Sequence, residues 1–406
     1  MIYLYAPFYN DQSNGISVMY ELVEIMNEAG IEAKVLCYEN ERYDVELPEK
    51  IKPYYISKAQ IPNAISDEDI VIYSETTGEN ILEAKNAVFW LLNKPSVLTG
   101  KGIRFRPDDI LMAYSTLVHS KLPQLFVMRD ELSLFSRLRS TVSRKRDTVS
   151  IYFGKVNIHT VLSRNEQLKH ILEKYRKVNI ITRRFPTARE QMLKGVAQSD
   201  LLISYDPLSN INYEATLLGT PVLMMDDVYG IRNTEFNMGR CGIAFSEEDI
   251  ETAHNEVPHA FETYRRWMEN QKNAAIKSIR LMVDQVQQVK SNAEALRRNE
   301  ALNHKVQSDF NAFYKGISET TFVNIDFPQE IPSSTGKIIG LFAVASAAAC
   351  QIFGADECGR SGSLRKVYSK NKPQWTENMY RKLPGNLKCK ELVFLMVRRF
   401  VLFFKK

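Results

Sequence analysis

Between residues 149 and 226 the chain alternates short apolar runs with helical patterns, and this alternation restricts its fold more than any other feature. Val149-Ser150-Ile151-Tyr152-Phe153 is a β-rich run that ends at Gly154-Lys155. Ser163-x-x-Glu166 then makes a capping box, in which each side chain satisfies an orphan backbone N–H at a helix start. Leu168, Ile171, Leu172 and Tyr175 follow at helical spacing. Residues 178–182 read as a second strand, and Thr187-x-x-Glu190 opens a second helix with Leu193, Val196 and Ala197 on its buried side. Residues 201–205 are a third strand, 209–218 a helix stopped by Gly219, and 221–225 a fourth strand. Apolar strands separated by helices predict a parallel sheet covered on both faces.

The first 145 residues follow a looser version of the same plan. Residues 2–8 read as a strand, Asn14-Gly15 as a turn, and 16–28 as a helix ended by Gly30. Further strands are expected at 33–37, 70–73 and 87–92. A length of 406 residues exceeds one small core. The expected fold is therefore α/β, with two Rossmann-like domains facing across a cleft. The first spans 1–145 and the second 146–250, joined through a basic, aperiodic stretch at 134–146. Ser246-x-x-Asp249 starts a mostly polar helical extension over 251–330, and 331–406 form a basic tail.

In open α/β sheets, ligands sit outside the carboxyl ends of the strands. In the second domain those ends carry Gly154-Lys155, Arg183-Arg184 and Asp206-Pro207-Leu208-Ser209-Asn210. Two cationic loops suit phosphates, and a carboxylate accepts hydrogen bonds from sugar hydroxyls.

The segment Asp206-x7-Glu214-Ala215-x-x-x-Gly219-Thr220-Pro221-Val222 resembles the donor-site motif of retaining GT-B glycosyltransferases. The resemblance implies that Glu214 accepts hydrogen bonds from the nucleotide's ribose and that Asp206, where the family most often has Glu, faces the donor sugar. It makes Gly219, Pro221 and Val222 structural, and it sets Lys155 against the diphosphate. Asn14-Gly15, with Tyr20-Glu21-Leu22 following, is similar to the family's glycine loop after the first strand, so Gly15 joins the expected donor site with Arg183, Arg184, Ser209 and Asn210. Phe89-Trp90-Leu91-Leu92-Asn93-Lys94-Pro95 resembles a segment of glycosyltransferases that build bacterial capsule or lipopolysaccharide. The expected reaction is hexosyl transfer from a nucleotide sugar to a glycan or lipid-linked acceptor. Asp11 and Glu75, near strand ends of the first domain, are the candidates for the acceptor-side base. A nucleotide-sugar epimerase of the same fold and a non-catalytic partner subunit remain as alternatives.

Other patterns bound the function. Asp67-Glu68-Asp69 has an acid-x-acid form but precedes a strand, and it reads as a turn and cap rather than a metal site. His119 reads as a surface or core histidine. The five cysteines are odd in number and scattered, which fits free thiols in a reducing compartment. There is no P-loop and no G-x-G-x-x-G, and neither cofactor nor metal is expected. Residues 361–406 hold twelve Lys/Arg and two acids, a net +10 against −5 for the remainder. Because the basicity belongs to the tail, a nucleic-acid partner is not expected. The uncharged run at 338–355 reads as a buried Ala-rich helix. In residues 391–406, eleven of sixteen are Leu, Val, Phe or Met, interrupted by Arg398-Arg399 and closed by Lys405-Lys406. That pattern fits a segment lying on an anionic membrane surface, or a helix docked on the core. The start lacks a secretory leader pattern, so the expected location is cytoplasmic, including the inner membrane face.

Overall fold

The computed structural model describes residues 1–11, 13–40, 46–100, 102–156, 168, 171–181, 188–225, 229 and 236–316. Within them are two parallel sheets. The first contains β1 (Ile2–Ala6), β2 (Ala33–Cys37), β3 (Tyr55–Ile56), β4 (Ile70–Ser74), β5 (Asn86–Leu91) and β6 (Ile110–Ala113), in the order β3-β2-β1-β4-β5-β6. The second contains β7 (Lys145–Tyr152), β8 (Lys177–Ile181), β9 (Ser199–Ser204), β10 (Val222–Met224) and β11 (Ile243–Ala244), in the order β11-β10-β9-β7-β8. The first is the doubly wound dinucleotide-fold order, and the second, read from its other edge, is the 2-1-3-4-5 order. The chain is thus α/β with two Rossmann-like sheets.

Burial follows from strand composition. Every residue of β4 and β5 is buried, as expected for strands covered on both faces. In the second sheet Val149, Ile151, Phe153, Leu201 and Ile203 point into one core with Leu168, Ile171 and Leu172. Leu202 and Val222 point the other way, into the main core. Ser150 faces that side too, satisfied by a 2.7 Å hydroxyl contact with Ser199.

The helices include α1 (Asn14–Glu28), α2 (Leu132–Thr141), α3 (Arg189–Gln198), α4 (Ile211–Leu217), α5 (Ile250–Ser291) and α6 (Ala293–Lys315). The stretch expected as an irregular linker forms α2 and the start of β7. Phe135 and Leu138 bury one side of α2 in the main core, and this tertiary contact outweighs the weak local pattern. The extension is less polar in effect than its composition implies. In α5, Ala253, Val257, Ala260, Tyr264, Met268, Gln271, Ala275, Ile279, Met282, Val286 and Val289 form one buried stripe at three- and four-residue steps. That stripe returns the chain to the first sheet. Gln271 pairs with both backbone groups of Met128 at 2.8 Å, and Asn299 and Asn303 of α6 both donate to the carbonyl of Asp109.

No helix among the described residues is long and apolar enough to cross a membrane. The runs at 338–355 and 391–406 lie outside the described residues, as do Ser163 and Glu166, Thr187, and Cys350, Cys358 and Cys389. Cys37 and Cys241 are free.

Candidate functional site

Each sheet reverses its winding once, and at that point the loops after two neighbouring strands diverge and leave a crevice. In the second sheet the reversal lies between β7 and β9, so the loop at Gly154-Lys155 meets the loop that begins at Asp206. Lys155 Nζ lies 2.9 Å from Asp206 Oδ2, and the Lys155 N–H donates to the same oxygen at 3.3 Å. Asp206 Oδ1 accepts from the Leu208 N–H at 3.2 Å.

Asp206 was expected to face a donor sugar. Its side chain is wholly buried, while the Lys155 side chain remains 18% exposed. With both oxygens engaged inside the protein, Asp206 holds the lysine in place. Gly154 makes this approach possible. Its φ is +56°, and a Cβ there would stand 2.3 Å from Asp206 Oδ2. Gly154→Ala is expected to cost about 2–4 kcal/mol from the left-handed backbone and the overlap together. Urea unfolding checks it, and an unchanged midpoint would show that the loop gives way freely.

In the first sheet the reversal lies between β1 and β4. Glu75 follows β4 directly and is buried, with its Oε2 accepting from the Leu92 N–H at 2.9 Å. Burial pushes its carboxyl up to about 7, while backbone donors and the positive charge of Lys155 pull the other way. Gly15 lies in the first turn of α1 beside Leu92, and a Cβ there would meet Leu92 Cδ1 at an ordinary 3.7 Å. Close backbone approach does not require this glycine. Asp11 is exposed in the loop after β1, and its carbonyl accepts from Arg129 at 2.6 Å.

Glu214, on α4, is 2% exposed and is gripped by Arg189, with Nη2 to Oε1 at 2.8 Å and Nη1 to Oε2 at 3.4 Å. The same guanidinium binds Glu131, its Nε reaching Oε2 at 3.1 Å. Glu131 also pairs with Arg129 at 3.1 Å. A chain of alternating charges thus runs from the loop after β1 to the heart of the second sheet. The two flanking carboxylates hold the Arg189 guanidinium well above its usual value, against the desolvation that opposes its charge.

Asn210, expected to touch the donor, is buried and reaches Tyr114, the residue that follows β6. Its amide donates to Tyr114 Oη at 3.0 Å, and Tyr114 Oη donates on to the Val127 carbonyl at 2.7 Å. Ser209 Oγ donates to Tyr152 Oη at 3.2 Å, at the edge of the crevice. Arg183 and Arg184 lie outside the described residues.

The weaker patterns have structural explanations. Asp69 accepts from the Ser66 N–H and hydroxyl and pairs with the amino terminus at 3.0 Å. His119 packs on Phe310 and meets Asp309 at 3.3 Å. Reading the sequence missed Glu131, Arg129 and Arg189, whose roles come from contacts 25 to 118 residues away in sequence.

No protein-family model matches the chain, and no curated protein does. Solved structures with a similar arrangement include an alpha-glucosyltransferase in complex with UDP and a DNA 13-mer. It is 10% identical with a TM-score of 0.36, over 77% of this chain and 99% of that one. A second structure of an alpha-glucosyltransferase with UDP and DNA gives 11% and 0.38, over 68% and 94%. The wall teichoic acid polymerase TagF with CDPG gives 10% and 0.31, over 76% and 89%. The first two neighbours are glucosyltransferases and the third is a polymerase.

Proposed function

We propose that this protein is a glycosyltransferase. It takes a sugar, a hexose in the simplest case, from a nucleotide donor seated against the second sheet and passes it to a glycan or lipid-linked acceptor held over the first. The observation that carries the reading is Lys155. It stands at one sheet's reversal point, held by a buried carboxylate, and the buried Glu75 stands at the other.

In this reading Lys155 neutralises the donor diphosphate, and Asp206 acts only by positioning it. Glu214 receives the ribose hydroxyls on lone pairs that Arg189 leaves free, which requires the guanidinium to shift on binding. Glu75 takes the proton of the acceptor hydroxyl as its oxygen bonds to the anomeric carbon. The nucleoside diphosphate leaves with the bonding pair, its charge met by Lys155, so no metal ion is invoked. The capsule-like segment at Phe89–Pro95 and the apolar, basic pattern at 391–406 support surface-polysaccharide assembly on the cytoplasmic face of a membrane.

The test separates phosphate from nucleoside. Lys155→Ala is expected to weaken binding of UDP or GDP by about tenfold or more, the loss of a charge-assisted contact. Uridine or guanosine should bind as before. Removing the lysine also strands Asp206 and lowers stability, so the comparison is made within the one folded variant. Equal loss for nucleoside and diphosphate would place the donor elsewhere. Retained binding without any turnover favours a partner subunit.

A further inference from the structure

A cavity of about 750 Å³ opens at the amino edge of the second sheet, the opposite side from the crevice. Its lining includes Arg139 from the last turn of α2, Arg144 and Arg146 where β7 begins, Asp200 from β9, Gly219 and His254. Three guanidinium groups therefore share one recess with a single carboxylate. That carboxylate is already in use, with Asp200 Oδ2 accepting from Tyr175 Oη at 3.4 Å and lying 3.8 Å from His254.

Among the described residues, none of the three arginines forms an ion pair with a carboxylate, although Asp200 acts on Arg144 electrostatically. Arg139 donates through Nη2 to the Pro258 carbonyl at 3.1 Å, but its Nη1 is buried with no hydrogen-bond partner among the described residues. Gly219 has a φ of +89°, and a Cβ there would meet Arg144 Nη2 at 3.1 Å, so the missing side chain gives the guanidinium its room. Desolvation, followed by the charges of Arg139 and Arg146, holds the Arg144 guanidinium below its usual value despite Asp200. Like charges gathered in a recess destabilise the empty protein, and an anion in the recess would relieve them.

We infer that this cavity is an anion site, separate from the crevice, that takes a ligand bearing a diphosphate. Guanidinium forks match phosphate oxygens in pairs, and three of them around one recess can serve two linked phosphates. The recess also exceeds the size of a single phosphate. The site touches Gly219 at the end of α4, the helix that carries Glu214, so the two regions share one element.

The experiment is calorimetric titration of the full chain carrying Lys155→Ala with inorganic pyrophosphate, so that the crevice lysine does not contribute. One molecule is expected to bind. Adding Arg144→Ala or Arg146→Ala, both at exposed positions whose loss leaves the core intact, should weaken it by about tenfold or more. The parallel arm offers phosphatidylcholine vesicles doped with diacylglycerol pyrophosphate. Arginine-dependent vesicle binding assigns the diphosphate to a lipid, and binding of free pyrophosphate alone assigns it to a soluble ester; both support the site. Titration unchanged by the arginine substitutions, or absent once Lys155 is removed, overturns it.

Discussion

Glu75→Gln is expected to lower the transfer rate by about 10²–10⁴-fold, the range for removing a general base, while making the fold more stable in mild alkali. The two effects share a cause. Burial raises the Glu75 carboxyl from 4.5 to about 7, so the folded protein holds a proton there that the unfolded chain has released. Between those values the native state binds more protons, and stability falls as pH rises. The contribution is complete below about 4.5 and lost as pH passes through about 7. It amounts to about 3 kcal/mol for a fully buried group. The parent rate should rise over the same interval, because only the carboxylate accepts a proton. Glutamine keeps an acceptor for the Leu92 N–H but does not titrate. Its variant should lack both the rate increase and this part of the stability loss. A variant turning over within a few-fold of the parent would remove Glu75 from the chemistry and leave it a structural acid.

Arg189→Leu is expected to destabilise the protein by about 3–5 kcal/mol, which urea unfolding measures directly. The magnitude comes from what remains: Glu214 at 2% exposure without a counter-ion, and Glu131 beside it. Neutralising both in the triple variant with Glu131→Gln and Glu214→Gln should recover most of the loss, because a buried network can be replaced more cheaply than broken. The cycle thereby separates a buried network from a solvated cluster. A single-variant cost below about 0.5 kcal/mol would mean that water already screens these charges.

Much of the scaffold was legible because strand and helix periodicity are local. Residues 33–37 coincide with β2, and the expected strands at 2–8, 70–73, 87–92 and 221–225 overlap β1, β4, β5 and β10. Short or polar elements escaped. The two-residue β3 and β11 carry no period, and β6 follows a long irregular approach. The stripe of α5 was diluted by Ala253, Ala260, Gln271 and Ala275, small or polar residues that bury well only against a close partner.

The site divides along the same line. The sequence alone was enough to set Gly154, Lys155 and Asp206 at strand ends, since alternation determines where each strand stops. It also set Glu214 eight positions after Asp206. Which charges meet was decided by the tertiary structure. Lys155 reaches Asp206 across 51 residues, Glu131 reaches Arg189 across 58, and Tyr114 reaches Asn210 across 96. A charged side chain carries no local period, and many partners are open to it in the unfolded chain. Only the packing of two sheets and the helices between them selects one. That packing turned Asp206 from a group expected to meet a sugar into a buried anchor for Lys155, and gathered three arginines around a recess that no motif announces.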